Sequence, residues 1–153
     1  VELTRQGHQA ACEFQKHSEL PRAMQEYAPL ELADTGAFRR IRFVKGSAAD
    51  LPFEDGSFDL VTTILALEQM ERIRDQALRE ITRVAGRHLF NIEPFRDLND
   101  RGGARRNVIQ RNYFRGRIDD LRRYGLRPRL ALKDFPQEAF LKAGAVLSRK
   151  EGS

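Results

Sequence analysis

The rhythm of apolar and polar positions changes around residue 58. FDLVTTILAL (58–67) is an apolar and β-branched run broken only by Asp59 and two threonines. That pattern predicts a strand covered on both faces, and such strands are mostly parallel. MERIRDQALREITRV (70–84) has the helical period instead, with Met70, Ile73, Ala77, Ile81 and Val84 recurring at three and four and charges on the other side. Gly86 ends this helix, and HLFNIEP predicts another buried strand. RDLNDRGGARRN reads as a polar loop, and VIQRNYFRGRIDDLRRYG as a helix with Phe114, Ile118 and Leu121 on one face and Gly125 beyond its end. LRPRLALKDF and AGAVLSRK flank PQEAFLK and predict an antiparallel ribbon at a sheet edge.

Before residue 58 the pattern is weaker. Residues 8–34 read as irregularly helical, interrupted at Pro21 and Pro29, and Thr35-Gly36 marks a helix end. Ile41, Phe43 and Val44 of RIRFVKG predict a short strand closing at Gly46. Between it and FDLV lies GSAADLPFEDGS, an acidic loop placed between two predicted strands. Strand, loop, strand, helix, strand, helix and hairpin is an α/β order, with helices covering a mostly parallel sheet. It predicts one domain over 1–153, with 1–36 an irregular helical segment and 41–149 the α/β core. Ligands in such sheets sit beyond the carboxyl ends of the strands. The acidic loop, the segment after Ile64 and Glu93-Pro94-Phe95 are therefore expected to converge on one crevice.

Composition narrows the partners. No apolar run approaches the roughly 20 residues of a membrane span, and residues 1–20 lack the basic start and apolar core of a signal peptide. A cytoplasmic protein without membrane contact is expected, and its initial valine suits a processed chain or a fragment. Cys12 is the single cysteine, and His8, His17 and His88 are scattered, so neither a disulfide nor a metal site is expected. Residues 1–95 carry 12 Lys/Arg against 15 Asp/Glu, whereas residues 96–153 carry 15 against 7. The basic half reads either as a solvated face or as the surface for an anionic partner. Tyr113 and Phe114 are needed for a helix face and no nucleic-acid module motif occurs, which disfavours nucleic acid.

GSAADLPFEDGSFDLV, followed by ALEQM, ALREITRV and LFNIEP, resembles the class I S-adenosylmethionine-dependent methyltransferases of the small-molecule type, most closely over 41–95. The resemblance implies a Rossmann-like sheet ending in an antiparallel hairpin, S-adenosylmethionine as cofactor and a small-molecule methyl acceptor. It places the adenine against Ser47, Ala48 and Asp50, with Leu51 and Phe53 beneath the loop, where both also read simply as core. It assigns positioning to Leu65, Ala66 and Leu67 after one strand and to Glu93 and Phe95 after the next, with Tyr113 and Phe114 as lid aromatics over the substrate. Glu93 is expected to act as a base or to orient the acceptor, or else to be an exposed strand-end carboxylate without such a role.

The chain departs from the family before residue 41. The glycine-rich turn that lets the backbone approach the methionine part is reduced to Glu2 and Gly7 in VELTRQGHQAA. No apolar strand with an acidic end precedes Ile41. One or two N-terminal strands are therefore expected to be missing, and cofactor binding to be weakened or lost. The open side of FDLVTTI would then be covered by the relocated strand 41–45, by residues 1–35 or by a second copy in a homodimer. A catalytically inactive, methyltransferase-derived interaction or oligomerisation domain is the alternative function.

Overall fold

A computed structural model describes residues 1–26, 31, 33–134 and 141–152. Pro29 and the PQEAF part of the hairpin connection lie outside the described residues. The chain divides into two compact units, Val1–Ser47 and Ala48–Ser153.

In the first unit, helix α1 (Arg5–Phe14) starts at Thr4, whose hydroxyl accepts from the Gly7 amide at 3.0 Å. Glu2 Oε1 in turn accepts from the Thr4 amide at 2.9 Å and its hydroxyl at 2.7 Å. A short helix α2 (Arg22–Gln25) begins directly after Pro21, and Ala37–Arg40 form a 3-10 turn. Among the described residues the predicted strand 41–45 forms no ladder, and its bridge is a parallel pairing of Lys45 with Glu2. RIRFVKG alternates basic and apolar residues, and Ile41 is exposed, so the segment buries too little to extend a sheet.

The second unit is a four-stranded sheet in the order β1-β2-β4-β3, from β1 (Phe58–Ile64), β2 (Ala85–Glu93), β3 (Leu126–Leu132) and β4 (Gly144–Lys150). β1 and β2 are parallel, whereas β4 runs antiparallel to both β2 and β3. The α/β class and the closing antiparallel hairpin match the sequence pattern. The expected sheet of about five strands is one of four among the described residues, because 41–45 stays with the first unit.

Helix α3 (Arg74–Val84) buries Ala77, Leu78, Ile81 and Val84 on the core. Ile73 belongs to a preceding 3-10 turn and is exposed. The helix runs straight into β2, and Gly86 lies inside that strand, where a Cβ would stand 3.1 Å from the Gly56 carbonyl oxygen. Glycine is required there by the close approach of the loop entering β1. The helix expected over 108–125 is divided. Helix α4 (Gly102–Gln110) begins inside the predicted polar loop and buries Ala104 and Val108, and a 3-10 segment (Asp119–Tyr124) buries Leu121. Gly116 separates the two, and a side chain there would strike the Phe114 ring at 2.5 Å.

β1 differs most from its sequence pattern. It was expected to be covered on both faces, yet Phe58, Leu60 and Ile64 are exposed. Among the described residues of its unit the strand has a neighbour on one side only.

Candidate functional site

Two loops bracket β1, and each is anchored by one glutamate. The entering loop is built on the last turn of α3. The Leu51 amide donates to Glu80 Oε2 at 3.0 Å, while the Leu51 and Phe53 carbonyls accept from the Arg83 guanidinium at 3.0 and 2.8 Å. Arg83 also pairs with Asp55 at 2.8 Å and Glu80 at 2.8 Å, and its own carbonyl accepts from the Gly56 amide at 2.9 Å. Hydrogen bonds from Arg83 and then from the Leu51 amide hold the Glu80 carboxyl down to about 2. Leu51 is buried, and Ala48 and Phe53 pack against the same core. This fixes a loop that would otherwise carry its acids into water.

The loop leaving β1 turns at Leu65, whose φ of 49° lies in the left-handed region that leucine rarely adopts. Leu65 is exposed, and its amide donates to the Ile92 carbonyl at 2.9 Å. The next two amides, Ala66 and Leu67, both donate to Glu93 Oε1 at 3.1 Å. Glu93 terminates β2, is fully buried, and its Oε2 has no hydrogen-bond partner among the described residues. Burial pushes its carboxyl above the ordinary range, against the pull of the backbone amides of the turn, that of Leu67 first. Glu93 is therefore not an exposed strand-end carboxylate. It is the clamp that holds a strained turn at the carboxyl end of the sheet.

The other expected site residues fall into three groups. Phe95 and Phe114 are core residues, 0% and 1% exposed, with ring centroids 5.7 Å apart in an edge-to-face pair. Rings so enclosed present no face to a substrate, which goes against the lid expected of Phe114 and the positioning expected of Phe95. Tyr113 is half-buried, and the Arg111 guanidinium lies 5.9 Å over its ring. Asp50 is exposed and Ala48 half-buried in the second unit. Ser47 and Gly7 belong to the first unit. At Gly7 the room for a side chain is taken by the Glu2 carboxylate, whose Oε1 would lie 2.6 Å from a Cβ.

The sequence pattern missed Arg83 and Glu80 as loop anchors. Their spacing of three on the polar face of a helix was the available signal, since such neighbours meet across one turn. Among the described residues no helix is long and apolar enough to cross a membrane.

Comparison with known proteins follows the same geometry. A family model described as a methyltransferase domain matches residues 10–88, just over half of the chain. The ubiquinone/menaquinone biosynthesis C-methyltransferase UbiE of Idiomarina loihiensis is 37% identical over 54 residues. That stretch is 35% of this chain and 21% of the relative, so the match spans about a fifth of the curated protein's length. A SAM-dependent methyltransferase of Methanosarcina mazei superposes with a TM-score of 0.62 at 12% identity, over 97% of this chain and 79% of that one. The Pyrococcus horikoshii protein PH0226 gives 0.57 at 13% identity, over 99% and 72%. At these identities the structures show a common fold, and the matched family model together with the LPFEDGSFDLV loop and the α3 helix shows more: the chain belongs to the methyltransferase-domain family.

Proposed function

We propose that the protein transfers a methyl group from S-adenosylmethionine to a small-molecule acceptor. The observation that carries this reading is the family match through residue 88, which spans the acidic loop and β1. The cofactor supplies a sulfonium whose methyl group is already activated. Ala48 and Asp50 would hold the adenine of that cofactor, and the group would supply an electrophilic methyl carbon whose bonding pair stays with sulfur on transfer. What remains for the protein is alignment and the exclusion of water.

The arrangement of the second unit suits that task. Ala48 and Asp50 head the anchored acidic loop and are assigned to the adenine, with Leu51 supporting them from the core. The exposed Leu65 turn presents backbone and an apolar side chain at the carboxyl end of β1. Glu93 serves as its positioning residue, not as a base, since both accepted amides are backbone and the carboxyl is closed off from solvent. Strain held in place by surrounding structure is a recurrent property of functional turns.

Titration with S-adenosylhomocysteine, followed by thermal unfolding, tests the reading. Ligand at 100 times its dissociation constant is expected to add about 2.7 kcal/mol of stability. Asp50→Ala is expected to weaken that binding by about 1–3 kcal/mol, the worth of a charged hydrogen-bond acceptor. No shift at millimolar ligand would overturn cofactor binding and leave an inactive, methyltransferase-derived domain.

A further inference from the structure

Beyond the clamp at Glu93, the chain turns back through a region crowded with arginine. The Arg96 amide donates to the Gly116 carbonyl at 2.9 Å, which ties the segment after β2 to the segment after α4. Asn99, 2% exposed, fixes the intervening turn by donating to the Phe95 and Lys142 carbonyls at 3.1 and 2.6 Å. Three segments separated in sequence thus bring Arg96, Arg105 and Arg115 to the wall of one cavity of about 190 Å³. Val108 and Ile109 of α4 line its apolar side, and Ile109 is 51% exposed.

The charge around this cavity is not balanced. Asp100 is the acid in its wall, and it lies 3.5 Å from Arg117, which also takes Asp97 at 3.8 Å. The nearby Glu71 is engaged by Arg74 at 3.0 Å and by the Arg115 backbone amide. Among the described residues Arg96 and Arg105 have no ion pair, and the Arg115 guanidinium donates only to the neutral Asn112 side chain at 3.1 Å. Three guanidinium groups sharing one wall repel one another, and a bound oxyanion relieves that repulsion. The planar fork of arginine matches the two oxygens of a carboxylate or phosphate, and its weak hydration makes it suited to such a pocket.

We propose that this cavity binds the oxyanion of an amphipathic small molecule, a carboxylate or phosphate ester whose apolar body lies along Val108 and Ile109. Arg96 follows the carboxyl end of β2 by three residues, so the cavity stands at the end of the sheet where ligands of this fold class bind. Its occupant is the methyl acceptor. That last identification rests on the methyltransferase reading, whereas oxyanion binding does not.

Calorimetry on the full chain at low salt, with inorganic phosphate, hexanoate and hexanol as separate probes, distinguishes the possibilities. Phosphate or hexanoate is expected to bind at millimolar concentration and hexanol not to bind. Phosphate without hexanoate marks a phosphate ester, and hexanoate in preference to phosphate marks a carboxylate. Arg96→Gln and Arg105→Gln are each expected to weaken that binding about tenfold, the loss of one charged hydrogen-bond partner. Arg127→Gln, on β3, is the control and is expected to leave binding unchanged. S-adenosylhomocysteine titrated into the same variants is expected to behave as in the parent chain. Oxyanion binding without any S-adenosylhomocysteine binding would sustain the cavity and sink the methyl-acceptor assignment. Binding of neither anionic probe, equal losses in the Arg127 variant, or Arg96-dependent binding of an RNA or DNA oligomer in place of both anions would overturn the proposal.

Discussion

Glu80 and Glu93 do the same job at opposite ends of β1 and are made to do it by opposite environments. Glu80 stands near the surface and anchors the entering loop together with a guanidinium, so its ionised form is favoured. Glu93 is sealed in the core and anchors the leaving turn through two backbone amides, with one oxygen unpartnered among the described residues and its ionised form disfavoured. A carboxylate holds a loop in either setting, but only the buried one leaves its partners without water when it is removed. The comparison also separates roles. The Arg83 network fixes a loop that enters the sheet, whereas the Glu93 clamp fixes a strained turn at the end where chemistry takes place in this fold class.

The largest effect is expected from Glu93→Ala. One buried and one half-buried amide lose their acceptor, and each such loss costs about 1–3 kcal/mol, so a total near 3 kcal/mol is expected in urea unfolding. S-adenosylhomocysteine binding is expected to weaken with it as the Leu65 turn relaxes. A loss below about 1 kcal/mol would show that the clamp is dispensable and would break the contrast with Glu80.

Arg83→Ala is expected to cost about 2 kcal/mol, because the Leu51 and Phe53 carbonyls and Glu80 lose a common donor. Asp55→Ala removes one partner from the same guanidinium at an exposed position and is expected to cost under about 0.5 kcal/mol. Urea midpoints of the two variants check both. Equal costs would mean that the surface ion pair, not the backbone contacts, holds the loop.

The smallest and sharpest effects are in the pH dependence. The Glu80 carboxyl lies below its ordinary 4.5 in the folded chain, so its contribution is complete above that value and lost as pH falls from 4.5 towards about 2. The advantage of the parent chain over Glu80→Gln is expected to shrink across that window. Glu93 has the opposite sign. Its carboxyl lies above 4.5, so its contribution is complete below that value and is lost as pH rises through the folded value. Glu93→Gln keeps an acceptor for both amides and is expected to gain on the parent chain as pH rises above 4.5. Thermal unfolding of the three proteins from pH 3 to pH 8 reads both slopes. Parallel curves for the two glutamine variants would remove the distinction between the two carboxylates.

Much of the second unit was legible along the chain because its signals are local. The period of three and four in ALREITRV, the apolar run of FDLVTTI and the two closing runs each state a conformation within a few residues. These carried the α/β order and, with LPFEDGSFDLV, the family. Where two local signals competed, the reading failed. GGARRN has the composition of a loop, yet Ala104 and Val108 find a core to bury against and the segment is a helix. RIRFVKG has the residues of a strand, yet it lacks a sheet to join.

The site was legible as a set of positions and not as a set of roles. Glu93, Leu65 and Asp50 can be picked out from where predicted strands end, but burial decides what a side chain does there, and burial is a property of the whole packing. Phe114 reads as well for a lid, and Phe95 for a positioning residue, as either does for the core until their rings meet at 5.7 Å. The positive φ of Leu65 and the clustering of Arg96, Arg105 and Arg115 come from contacts between segments distant in sequence, which no periodicity encodes. The sequence by itself determined which segments become strands and helices and what chemistry they carry. The tertiary structure alone decided which carboxylate is ionised with ease, which is sealed away, and which arginines share one cavity wall, because desolvation and charge pairing are summed over everything a residue touches.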